Sequence, residues 1–178
     1  ISSLYAADPF RFSDHDPVLV GLDLTAPPQE FFVYLPVVLN QPRPDLIVED
    51  VAVTNNDFSV VIRNIGTAPV TDSFYVDAYL GLLDPAVVPA AVNDIWQDFS
   101  PQGVVWGVDA ASVAIAPGET LTLTLNDAYQ IADYTAFTLP LESGTAVYVQ
   151  VDSASAAEEY GGVLELHEVA GEPYNNVF

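Results

Sequence analysis

Residues 45–80, DLIVEDVAVTNNDFSVVIRNIGTAPVTDSFYVDAYL, constrain the fold more than any other stretch. They hold three strand-like runs separated by turn chemistry. Leu46–Val53 comes first, and the turn Asn55-Asn56-Asp57 follows. Residues 58–63 then place Phe58, Val60 and Ile62 on one face. After the turn Asn64-Ile65-Gly66-Thr67-Ala68-Pro69, the residues Phe74, Val76, Ala78 and Leu80 alternate with Tyr75, Asp77 and Tyr79. A period of two with one apolar face is the pattern of a half-buried antiparallel strand. The chain therefore reads as all-β.

The rest of the chain continues this pattern. Leu121, Leu123 and Leu125 alternate with Thr120, Thr122 and Thr124, and Val147, Val149 and Val151 alternate with Ala146, Tyr148 and Gln150. Residues 163–168 read as a closing strand, and residues 113–115 as a short strand before the Pro117-Gly118 turn. Residues 83–94, with Pro85 and Pro89, read as a loop or a short helix. No stretch with a 3.6-residue period is long enough for a major helix. Strands at this spacing between Gly, Pro and Asn turns favour a β-sandwich.

Four sequence fragments resemble the CARDB family, bacterial and archaeal surface modules. They are PDLIVEDVAV, RNIGTAPV, the Ala116-Pro117-Gly118-Glu119 turn before a Thr/Leu strand, and the closing series VYVQVD, VLELHE and NNV. The resemblance spans residues 44–178. It implies an immunoglobulin-like antiparallel β-sandwich over residues 45–178, found outside the cell or on its surface. It implies a role as spacer, adhesive unit or fibre unit, and no particular activity.

Residues 1–24 form a different region. Val18, Val20, Leu22 and Leu24 alternate with Leu19, Gly21 and Asp23, which predicts a strand arm. The segment SDHDPVLVGLDL, within residues 10–24, resembles the last strand of the endonuclease/exonuclease/phosphatase superfamily. That resemblance makes His15 the counterpart of a catalytic histidine and Asp14 its acidic neighbour at a metal site. The superfamily's remaining metal and base residues have no counterparts here. A histidine without metal, partner carboxylate and cleft does no acid–base work. Asp14 and His15 therefore read as relics, and no catalytic residue is assigned.

Residues 25–44 form a linker bracketed by Pro27, Pro28, Pro42 and Pro44, which favour extended backbone. Within it lies an apolar strand containing Phe31, Phe32, Tyr34, Val37 and Leu39. Such a strand must pair with a sheet edge or be covered, and Pro36 restricts it to an edge or a bulge. The expected interface residues are these five together with Val18, Val20, Leu22 and Leu24.

Charge narrows the partners. Three Lys+Arg against 25 Asp+Glu give a net charge of −22. Such a surface repels phosphate backbones and anionic lipid, so no nucleic-acid partner is expected. The longest apolar run, residues 31–39, is far shorter than a membrane span, so no insertion is expected. The basic residues are Arg11, Arg43 and Arg63, and the absence of lysine removes both Schiff-base chemistry and lysine isopeptide crosslinks. There is no cysteine. The first residue, Ile1, follows no basic and apolar leader pattern, so a processed chain or a piece of a longer one is expected.

No cofactor is expected. Calcium is the one ion for which the sequence offers ligands, namely Asp152, Glu158, Glu159 and Glu165. His167 reads as a surface residue of the closing strand. Trp96 and Trp106 read as core aromatics, against a third-ranked alternative of a carbohydrate-binding pair. The functional expectation is a non-enzymatic extracellular structural or adhesion module. Its arm would add a strand to a neighbouring copy and so build a homopolymeric fibre. The alternative is a C-terminal targeting or attachment module of a secreted metal-dependent enzyme of the superfamily named above.

Overall fold

A computed structural model describes residues 41–109 and 113–178. The chain divides into two units, residues 1–39 and residues 40–178. The arm positions Asp14, His15, Val18, Val20, Leu22, Leu24, Phe31, Phe32, Tyr34, Val37 and Leu39 lie outside the described residues.

Among the described residues the fold is mostly β, with two three-stranded antiparallel sheets. The first orders as β1–β2–β5, formed by Leu46–Val53, Phe58–Asn64 and Thr120–Thr124. The second orders as β4–β3–β6, formed by Gly103–Val108, Phe74–Leu80 and Val147–Val151. The alternation fixes which side of each strand turns inward. Leu46, Val48, Phe58, Val60, Ile62 and Leu123 come from the first sheet, and Phe74, Val76, Ala78, Val104, Trp106, Val149 and Val151 from the second. They form one core, and hydrophobic burial over this shared face holds the sheets together. Trp106 is fully buried and stacks on Phe58 with ring centroids 5.8 Å apart.

The outer face of the second sheet departs from the half-buried expectation. Tyr79 and Asp77 are as buried as their inward neighbours. Residues 90–100 cover them, including a single helical turn, α1, at Trp96–Phe99. Trp96 is buried with Tyr79 and Val105 in a second, smaller cluster. Asp77 lies buried there, and its carboxylate accepts from the Trp96 backbone N–H at 3.0 Å and the Ser153 hydroxyl at 2.8 Å. Both tryptophans thus serve packing, and neither stands free as an exposed sugar platform.

The expected closing strand over residues 163–168 is corrected by the structure. Val163, Glu165 and His167 are indeed buried in alternation, which is the signal a strand gives. The backbone instead turns helical as α2, Leu166–Ala170. Glu165 sits at the N-cap and forms a capping box with Glu168, and Gly171 ends the helix in the left-handed conformation at φ +69°. These are start and stop signals with a mechanism. Residues 83–94 form turns without regular structure, and Ile115 makes an isolated bridge to Val70 instead of a strand.

Candidate functional site

The most unusual chemistry lies where the chain enters β1. Asp45 is buried, and the N–H that precedes its side chain donates to Asn64 Oδ1 at 3.2 Å. The next residue, Leu46, donates its backbone N–H to Glu165 Oε2 at 2.6 Å. The Pro44 carbonyl accepts from the Leu166 N–H at 2.9 Å. The Arg43 carbonyl accepts from the Thr67 and Ala68 N–H groups at 2.8 and 3.1 Å. Gly66 makes this approach feasible: an added Cβ would lie 2.4 Å from the Arg43 oxygen and 2.5 Å from the Asp45 nitrogen. Residues 43–46 are therefore fastened to the 64–68 turn on one side and to α2 on the other.

Three titratable side chains meet at this point. His167 Nδ1 lies 2.9 Å from Asp45 Oδ1 and 3.5 Å from Glu165 Oε2. With acceptors on both sides, Nδ1 carries the hydrogen and donates to Asp45. Asn175 Nδ2 donates to the same Asp45 oxygen at 3.2 Å, and Asn176 Nδ2 donates to Glu165 Oε1 at 2.9 Å. The His167 ring packs edge-on against Tyr174, whose hydroxyl accepts from Gln150 Nε2.

Burial sets the electrostatics. Glu165 is fully buried, and desolvation pushes its carboxyl up to about 9, against the lowering effect of the Leu46 and Asn176 hydrogen bonds. The negative charges of Asp152 and Asp45 push it the same way. A carboxyl held that high keeps its proton at neutral pH. Asp152 is also fully buried, and desolvation pushes it up to about 7 although the Val163 and Gly162 N–H groups bond it. Burial likewise raises Glu168 and the Tyr174 hydroxyl.

The structure rearranges the expected ligand set. Glu158 and Glu159 are exposed, and Asp152 spends its two oxygens on Gly162 at 2.7 Å and Val163 at 2.9 Å. Among the described residues these do not gather with Glu165 into one group. Asp45, Glu165 and His167 do gather, with one potential ligand atom each and all within 4.8 Å. One imidazole and two carboxylates suit zinc or manganese better than calcium, which takes ~6–8 oxygens. The carboxylate oxygens already accept N–H donors, so the same geometry also closes as a hydrogen-bonded clamp around one retained proton.

His167 is buried, contrary to its expected surface position, and Asp45, Asn175 and Asn176 were not anticipated as site residues. The segments PDL, RNIG, LELHE and NN, far apart in sequence, converge here. Asn64 alone shows why. Its Oδ1 accepts from Asp45 and Gly66, and its Nδ2 donates to the Ala68 and Ile115 carbonyls at 2.8 and 3.0 Å. These four bonds tie the 64–68 turn to the Asp45 backbone and to the Ile115 carbonyl.

No family model, curated protein or solved structure matches this chain. The reading of the site therefore rests on its geometry. One further concavity, a groove of about 330 Å³ over the outer face of β3, is walled by Tyr75, Asp77, Ile95, Val105 and Tyr134. The Asp77 carboxylate in its wall is committed to Trp96 and Ser153. Among the described residues no helix is long and apolar enough to cross a membrane.

Proposed function

We propose that this chain is a non-enzymatic structural or adhesion module of the cell exterior. In this reading an immunoglobulin-like sandwich carries an N-terminal arm that adds a strand to a neighbouring copy, so that modules join into a fibre. The clamp around residues 43–46 carries the argument. A segment connecting an arm to a body must transmit whatever tension the arm receives. Here that segment is held by hydrogen bonds from the 64–68 turn, from α2 and from Asn175. Buried bonds to partly charged groups are the stronger kind. A surface of net charge −22 keeps such polymers apart from one another in solution.

Two forms of the protein test this. The full chain should assemble, and the chain beginning at residue 41 should stay monomeric with an unchanged near-ultraviolet circular dichroism spectrum. A truncated chain that assembles as readily as the full one would contradict the reading.

A further inference from the structure

The groove over the outer face of β3 has no part in the clamp or in the shared core. It holds about 330 Å³, near the lower end of the ~300–1,000 Å³ usual for small-ligand pockets. All its walls come from residues 75–156, and hydrogen bonds tie them to one another. Trp96 Nε1 donates to the Tyr134 carbonyl at 2.8 Å, which fixes the 132–134 turn against α1. The Ser153 N–H donates to the Tyr75 carbonyl at 3.1 Å, and the Ser155 N–H donates to Asn93 Oδ1 at 3.0 Å. Ala154 and Ala156 line the same space with the smallest of side chains. The groove is thus held in shape before anything enters it, which lowers the cost of binding.

Two features set what it would take. The first is aromatic. Tyr75 and Tyr134 both line the groove and are 43% and 56% exposed, so ring surface is left for a ligand. Gly107 stands opposite Tyr75 in the sheet and gives the ring room, since a Cβ there would lie 3.4 Å from Tyr75 Cε1. The faces of such rings attract cations. The second feature is charge. Asp77 lines the groove and is 2% exposed. Its two oxygens accept one hydrogen bond each, from Trp96 and Ser153, out of about four acceptor positions on a carboxylate. Both donors are neutral. Among the described residues Arg63 pairs with Glu49 and His167 with Asp45, and no cation pairs with Asp77. Burial pushes the Asp77 carboxyl above its ordinary value, as it does for a negative charge without a compensating partner. Asn93, Gln97 and Tyr134 of the lining neighbour Asp94, Asp98 and Asp133 in the chain.

We infer that this groove binds a free organic cation, an ammonium group carried on an apolar body the size of a phenyl ring. The ammonium would meet Asp77, and the body would lie between Tyr75 and Tyr134 over Ile95 and Val105. Compensating a buried carboxylate and covering two tyrosine rings are each worth more in a desolvated groove than on an open surface. A neutral ligand of the same shape gains only the apolar part. An anion is repelled by Asp77 and by the net charge of −22.

Phenethylammonium and its neutral counterpart, phenethyl alcohol, test this by calorimetric titration of the full chain. About 150 mM sodium chloride screens loose association with the acidic surface. The cation should bind, and the alcohol about tenfold more weakly or not at all. Tyr134→Ala removes an exposed ring but leaves the backbone bond to Trp96, and should weaken the cation about tenfold. Asp77→Asn keeps an oxygen for the Trp96 N–H and can donate to the Ser153 hydroxyl, and should bring the cation down to the affinity of the alcohol. Near-ultraviolet circular dichroism checks the fold of each variant. If Asp77→Asn unfolds, Tyr134→Ala and the alcohol decide between them. Equal affinity for cation and alcohol would overturn the inference. Cation binding unchanged by Tyr134→Ala would place the ion elsewhere on the acidic surface and overturn the site. No binding of the cation at millimolar concentration would overturn both.

Discussion

Replacing Glu165 with glutamine should stabilise the protein, and increasingly so as the pH rises. Glu165 is fully buried and holds its proton up to about 9, against an ordinary value of 4.5. Between those values the folded chain keeps a proton that the unfolded chain gives up. Folding then binds a proton, so this group's contribution is most favourable below the unfolded value and is lost as the pH climbs toward 9. The cost grows tenfold in the folding equilibrium per pH unit, which reaches about 3 kcal/mol at pH 7. Glutamine has no proton to bind. Its oxygen can still accept from Leu46, and Asn176, whose Oδ1 is buried without a partner, can rotate its amide to accept from the new NH₂ group. Urea unfolding of both proteins at half-unit intervals from pH 4.5 to 9 measures the difference directly. The curves should meet near pH 4.5 and diverge above it, with Glu165→Gln the more stable. The comparison cancels the general self-repulsion of a chain with net charge −22. Parallel curves across this range would show that Glu165 is ionised in both states, and the retained-proton account of the clamp would fail.

Other perturbations probe neighbouring parts. Gly66→Ala places a Cβ 2.4 Å from the Arg43 carbonyl oxygen, and should cost about 2 kcal/mol or more by denaturant titration; a neutral result would mean residues 43–46 are not held against the turn. Trp106→Ala should cost about 3–5 kcal/mol, because it empties a fully buried site against Phe58. In the wild type, fluorescence from Trp106 should be blue-shifted and insensitive to added sugars. Chelation with EDTA should leave the melting temperature unchanged if Asp45, Glu165 and His167 close as a hydrogen-bonded clamp. A fall on chelation, reversed by zinc, would instead identify them as ligands.

The strands of the core were legible in the sequence because one-sided burial writes a period of two into the chain. Phe58, Val60 and Ile62 point where their spacing said. The outer face of β3 was less legible, because Asp77 and Tyr79 are buried by residues 90–100, a segment with no period of its own. The misread helix α2 shows a sharper limit. Val163, Glu165 and His167 alternate in burial as a strand would, while the Glu165–Glu168 capping box and Gly171 carry the helix signal. The clamp was hidden for another reason. Asp45, Asn64, Glu165 and Asn176 lie far apart in sequence, and a polar residue looks solvated until its distant partners are known. Glu165 was legible as one of four candidate calcium ligands, but the burial that makes it unusual exists only in the folded chain.

The central claim is that copies of this chain join through the arm, and the solution mass of the full chain tests it most directly. Sedimentation equilibrium over a wide concentration range should give masses well above the 19.1 kDa of one chain, rising with concentration. A mass of one chain at every concentration would contradict the account.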